Sequence, residues 1–243
     1  MPTLVSAYYN IPSKASHDKY FIWLKRFLQN VSAPLVFFTS KDIEEQIHAW
    51  GIQLNTIKVV PLEFKDLRAW NKGESFWRRQ KERDPEIYHT VELGVIWYEK
   101  KEFVERAMKL CPDEEVFIWC DAGCIRDDYH EAAVRGFGTR NVPLNDNKMH
   151  LEQIYKKPAK QDFYSKKDVY IAGGFQAGNR KAWGQHSALY DLVLHEYDMN
   201  GFPAVSDQFT LMKCVDKIPE LYELHCVPAT YRNNEWFWIL TYL

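Results

Sequence analysis

The chain has 243 residues, 46% hydrophobic and 26% charged, a balance that excludes disordered, collagen-like and disulfide-scaffold classes and leaves length for one large core. With 31 Lys and Arg against 33 Asp and Glu it carries no global field to attract nucleic acid, so any phosphate must be met by a local pocket. Five cysteines, an odd number, read as reduced thiols of a cytoplasmic protein, and no apolar run reaches the roughly 18 residues that a membrane span needs.

The first half alternates strand and helix signals. Residues 3–9 form a short apolar run, and residues 18–28 place Phe21, Leu24, Phe27 and Leu28 at helical spacing. A buried strand over 34–39, a helix around 42–50 and a strand at 57–60 complete a βαβαβ opening, which implies parallel strands covered by helices. Ligands of such sheets bind beyond the carboxyl ends of the strands. Residues 63–83 are polar and aromatic and read as a loop with short helical turns. A long helix is expected over 85–110, with Pro85 in its first turn and Cys111-Pro112 ending it.

A fourth strand over 115–120 runs into Asp121, and a helical stretch over 127–135 follows. Residues 141–167 read as irregular. A strand over 168–172 leads into Gly173-Gly174-Phe175-Gln176-Ala177-Gly178, then a helix over 179–200 closes at Gly201, and Ser206 is a candidate cap for a helix reaching Val215. There is no internal repeat and no linker-like tract.

An Asp at the end of an apolar strand, followed by small residues as in Asp121-Ala122-Gly123, can hold a divalent cation or a ribose; it can equally cap the turn that follows. Gly173, Gly174 and Gly178 let backbone amides approach a ligand or simply make tight turns. Asp207-Gln208 offers a carboxylate and an amide to a cleft, or complements a helix dipole. Lys100 or Lys101 could reach a diphosphate from the helix beside the Asp121 strand, and Arg78 and Arg79 could do so from their loop; solvated faces are the alternative for all four. His225 could be a late metal ligand or a hydrogen-bonded histidine of core or surface. Cys120 and Cys124 flank the strand end without completing a zinc set, and read as buried apolar thiols.

Together the segments Val5-Ser6-Ala7-Tyr8-Tyr9-Asn10-Ile11-Pro12, Phe37-Phe38-Thr39-Ser40, Trp97-Tyr98-Glu99-Lys100, Trp119-Cys120-Asp121-Ala122-Gly123, Gly173-Gly174-Phe175-Gln176-Ala177-Gly178 and Ser206-Asp207-Gln208 resemble the HtrL/YibB-like family. That family of bacterial, viral and invertebrate proteins is regarded as glycosyltransferases with a GT-A fold. A wider resemblance is to glycogenin-like GT-A transferases. It implies that Ala7, Tyr8 and Tyr9 hold the base, Lys100 the diphosphate, and Asp121 with Ala122 and Gly123 the place of an Asp-x-Asp motif. By the same resemblance Gly173 and Gly174 line the sugar site, while Asp207 and Gln208 are catalytic and face the anomeric carbon. The second acid of the motif is Gly123 here, so a divalent metal (Mn²⁺ or Mg²⁺) on Asp121 would be completed by His225, phosphates or water.

The expectation is therefore a GT-A-like (Rossmann-like) α/β fold, a mixed, mostly parallel sheet flanked by helices in one domain. Residues 1–125 form its nucleotide-binding half and residues 126–243 its sugar- and acceptor-binding half. The expected activity is hexosyl or pentosyl transfer from a nucleoside diphosphate sugar, UDP-linked before GDP-linked, to a glycan or small-molecule hydroxyl. The alternatives are a non-catalytic nucleotide-sugar or glycan-binding protein and a nucleotidyltransferase.

Overall fold

A computed structural model of the chain describes residues 1–140, 143–144, 146–159, 166–231 and 235–243. Seven strands make one sheet: β1 (Thr3–Tyr8), β2 (Leu35–Thr39), β3 (Ile57–Pro61), β4 (Val116–Cys120), β5 (Met149–Gln153), β6 (Ile171–Asn179) and β7 (Tyr222–Cys226), in the order β3-β2-β1-β4-β6-β5-β7. Every pairing is parallel except the two made by β6, which runs against both β4 and β5. This is the mixed, mostly parallel sheet that the βαβαβ opening predicts.

Helices cover both faces. The central strands are apolar on successive residues because both sides are buried. Val5, Phe38 and Trp119 enter one core with α3 (Glu74–Arg83), α4 (Val91–Leu110), α6 (Arg180–Met199) and α7 (Asp207–Lys217). Their neighbours Leu4, Phe37 and Ile118 enter the other, under α1 (His17–Asn30), α2 (Lys41–Ala49), α5 (Asp128–Val134) and α8 (Ile239–Tyr242). Burying a side chain such as Phe37 or Phe38 contributes about 2 kcal/mol relative to leaving it in water. Local capping agrees with the packing: Ser16 accepts from Lys19 N, Thr90 from Leu93 N, Asp127 from His130 N and Asn179 from Ala182 N.

The structure departs from the sequence expectation in five places. Residues 74–83 are a full helix, α3, whose apolar face is Phe76 and Trp77; the charged Arg78, Arg79 and Lys81 on its other positions hide the period. Helix α4 starts at Val91 and not at Pro85. Asp84 instead folds a buried turn, accepting from Glu86 N at 2.8 Å and meeting His89 Nδ1 at 2.8 Å. The stretch 141–167, part of which lies outside the described residues, contains β5, and β7 also went unread. Ser206 precedes α7 but makes no side-chain cap. Finally, Gly173, Gly174 and Gly178 do not follow a strand; they lie inside β6.

That last point positions everything else. Because β6 is reversed, its first residues reach the same rim of the sheet as the carboxyl ends of β1 and β4. The amide of Asp121, one residue past β4, donates to Gly174 O at 2.9 Å and ties the two strands together there.

Candidate functional site

At this rim lies a cavity of about 130 Å³. Ala7, Tyr8 and Tyr9 form one wall at the end of β1, and Ile96, Trp97 and Lys100 form another on α4. Trp119, Asp121, Ala122 and Gly123 make the floor, with His17, Tyr20, Arg126 and Phe237 closing the remaining side. The α4 residues share a face because they are three and four positions apart. Tyr8 Oη and His17 Nδ1 are 2.8 Å apart, which fixes both rings.

The ammonium of Lys100 is the centre of the charged cluster. It donates to Asp207 Oδ2 at 2.7 Å and to Gly173 O at 2.8 Å, and it lies 3.1 Å from Asp121 Oδ1. The first two are hydrogen bonds and the third an ion pair. Burial works against the charge of Lys100, but the Asp121 and Asp207 carboxylates outweigh it and hold its pKa above the ordinary lysine value. Asp121 Oδ1 also accepts from Trp119 Nε1 at 2.8 Å. The Asp121 side chain keeps 39% of its surface exposed, so its second oxygen is the one available to the cavity.

Of the residues expected at a site, Ala7, Tyr8, Tyr9, Lys100, Asp121, Ala122 and Gly123 line the cavity. Gly173, Gly174 and Asp207 join the cluster from behind. A Cβ on Gly174 would meet Asp121 Oδ2 at 3.3 Å, so this glycine keeps the carboxylate seated against β6. Asp207 is only 4% exposed at its side chain and is screened from the cavity by Lys100. It is therefore a partner of Lys100 and does not itself line the cavity.

Lys100 lines the cavity with its ammonium turned to Asp207, Gly173 and Asp121. Two further expected residues lie outside the cavity. Gln208 donates its amide to Ile171 O at 2.7 Å, pinning α7 to β6, and does not line the cavity. Arg78 is 69% exposed and pairs with Glu74 one helical turn away, outside the cavity; Arg79 bonds Asp198.

His225 lies on β7, with β5 and β6 between it and the Asp121 strand. At the usual strand spacing that is about 14 Å, too far to share a cation. Its partner is His150, at 2.9 Å from Nδ1 to Nε2, and His150 in turn meets Asp146. The residues around Asp121 do not fit a protein-held divalent cation: Oδ1 is already taken by two donors, Gly123 supplies no side-chain oxygen, and Asp207 is sealed behind Lys100. Among the described residues no three His, Cys, Asp or Glu side chains converge as a metal cage. Cys120 and Cys124 are buried as expected, with their sulfurs 3.7 Å apart, whereas Cys226 is exposed.

Sequence reasoning missed His17, Tyr20, Trp97, Arg126 and Phe237. Trp97 was findable, since it stands three residues before Lys100 on one helix and shares its face. Arg126 was not, because the rings that hold it come from Trp23 and Phe237, remote in the chain.

The fold and the site define an α/β protein with an aromatic-walled ligand cavity and a buried Asp–Lys–Asp cluster at the carboxyl rim of its sheet. The chain belongs to the HtrL_YibB family: the model described as "Bacterial protein of unknown function (HtrL_YibB)" matches residues 3–241. No curated protein matches the chain in sequence. Among solved structures, it is similar to a glycosyltransferase involved in the glycosylation of the major capsid of PBCV-1, at 15% identity over 92% of this chain and 81% of that one, with a TM-score of 0.44. It is also similar to a cytidylyltransferase from Leptospira borgpetersenii serovar Hardjo-bovis, at 10% identity over 96% and 78% of the two chains, with a TM-score of 0.45. Among the described residues no helix is long and apolar enough to cross a membrane.

Proposed function

We propose that this chain is a glycosyltransferase that moves a sugar from a nucleoside diphosphate donor, UDP-linked before GDP-linked, to a hydroxyl of a glycan or small-molecule acceptor. The observation that carries the reading is Asp121: one carboxylate oxygen is held by Trp119 and Lys100, and the carboxylate is presented at a strand end to a cavity walled by Tyr8, Tyr9 and Trp97. Aromatic walls take a base or a sugar ring, and the order of motifs along the chain supports the nucleotide-sugar class.

In this reading the donor's base lies against the Ala7–Tyr9 wall and its sugar over Asp121. Two carboxylates and one ammonium leave a single negative charge beneath that position. Negative charge there favours the positive charge that develops on an anomeric carbon as its bond to phosphate breaks. Lys100 and Asp207 keep Asp121 in one orientation, so little rearrangement is needed during the reaction.

The test is release of nucleotide from a panel of UDP- and GDP-sugars, with and without acceptor glycans, in wild-type protein and Asp121→Ala. Turnover that disappears in Asp121→Ala supports the reading. Turnover that survives the substitution would remove Asp121 from the chemistry, and donor binding without turnover under every condition would favour a binding protein.

A further inference from the structure

The cations at the cavity divide into one that is engaged and one that is not. Lys100 is buried; it donates to Asp207 and Gly173 and pairs with Asp121. Arg126 also lines the cavity but is exposed. Its guanidinium carbon lies 4.8 Å from the Trp23 ring and 4.7 Å from the Phe237 ring, and its Nε donates to Gly123 O at 3.2 Å. Two rings and one hydrogen bond fix the plane of the guanidinium. Among the described residues its two terminal nitrogens have no hydrogen-bond partner, so the four protons they carry remain free.

We infer that Arg126 binds the diphosphate of the donor, in the role that a cation held by the strand-end acids would otherwise fill. The inference rests on the nucleotide-sugar reading given above. Three independent features meet in it. The acid that would complete a cation site is replaced by Gly123, and the carbonyl of that same glycine anchors Arg126. The Asp121, Asp207 and Lys100 cluster is one negative charge in excess, which Arg126 balances. A planar guanidinium with two free nitrogens matches two phosphate oxygens at once, which a lysine in its place does not. Tyr20 reinforces the arrangement, because a side chain on Gly123 would meet its ring at 3.2 Å. The positive group then faces the leaving phosphates while the negative cluster lies under the sugar.

The experiment is calorimetric titration of the full chain with UDP and with uridine, each in the presence of EDTA and then of Mn²⁺. Wild-type protein is expected to bind UDP with the chelator present. Arg126→Met keeps the aliphatic stem between Trp23 and Phe237, and is expected to weaken UDP binding by about 10- to 100-fold while leaving uridine binding unchanged. Arg126→Lys should recover only part of the loss, because it cannot contact two oxygens in a plane.

Wild-type affinity for UDP in Arg126→Met, or UDP binding that is lost with EDTA and restored by Mn²⁺, would overturn the assignment while leaving the nucleotide reading standing. An equal loss for UDP and uridine would also overturn it, since Arg126 would then be shaping the cavity and not meeting phosphate. If the wild type binds neither UDP nor uridine, the UDP-sugar reading fails and the assignment with it.

Discussion

A Cβ placed on Gly173 would lie 2.5 Å from both carboxylate oxygens of Asp207. No side-chain carbon tolerates that distance, so Gly173→Ala must push the carboxylate away from β6. Since Asp207 Oδ2 holds Lys100 at 2.7 Å, the displacement passes directly to the group that orients Asp121. We expect Gly173→Ala to lower stability by about 1–3 kcal/mol, read by urea denaturation, and to reduce transfer more than donor binding. A variant with unchanged stability would mean that Asp207 has another place to go.

Lys100→Met should be more damaging than Gly173→Ala. It leaves Asp207 buried with no cation, a situation that costs about 3–5 kcal/mol when one partner of a buried pair is removed. The double variant Lys100→Met with Asp207→Asn removes that buried charge and is expected to regain much of the lost stability without regaining activity. Stability losses that simply add in the double variant would show that the two side chains are not energetically coupled.

Stability should also depend on pH through two buried groups away from the cavity. Glu152 accepts from Ile239 N at 3.1 Å, and burial pushes its pKa up from 4.5 to about 8. Its folded form therefore holds a proton that the unfolded chain has lost, and stability falls as pH rises from 4.5 towards 8 by up to roughly tenfold in the folding constant per pH unit. Burial of His186 acts in the opposite sense. Its pKa is lowered from 6.5 to about 3, so stability rises with pH across that interval. The two oppose one another between 4.5 and 6.5, and the Glu152 decline is cleanest between 6.5 and 8. Thermal melts of Glu152→Gln should be flatter than wild type in that window; a parallel slope would assign the decline to other groups.

Arg78→Ala and His225→Ala are expected to leave UDP binding unchanged. Arg78 is exposed beside Glu74, and such pairs contribute at most about 1 kcal/mol, so its loss should alter stability little as well. A drop in UDP affinity for either variant would place a second ligand contact outside the cavity described here.

The parts of this molecule that were legible in its sequence are those where one physical demand acted alone. Leu35–Thr39 is buried on both sides and reads as a strand with no competing interpretation. Strand β5 was unreadable because His150 and Glu152 are polar yet buried, and tertiary partners decide their placement: His225 and Asp146 for His150, the Ile239 amide for Glu152. Helix α3 was masked in the same way, since Gln80 is fully buried only through Asp198 and the Ala204 amide. At the site, Asp121 stood out as an acid ending an apolar strand. That Lys100 would turn to Asp207 and Gly173, with Asp207 buried behind it, follows from the reversal of β6, which no periodicity within that strand announces.

The same reversal divides the ownership of the charged cluster. Lys100 and Asp121 precede the crossing into β5 and β6, while Gly173 and Asp207 follow it, and the joining amide of Asp121 reaches across to Gly174. Neither half of the chain contains the cluster on its own. Of two fragments cut in the intervening segment, the first would keep the Lys100–Asp121 pair and the second would carry Asp207 without its cation, and their reassociation would restore the Lys100–Asp207 pair and the Asp121–Gly174 strand tie in one step.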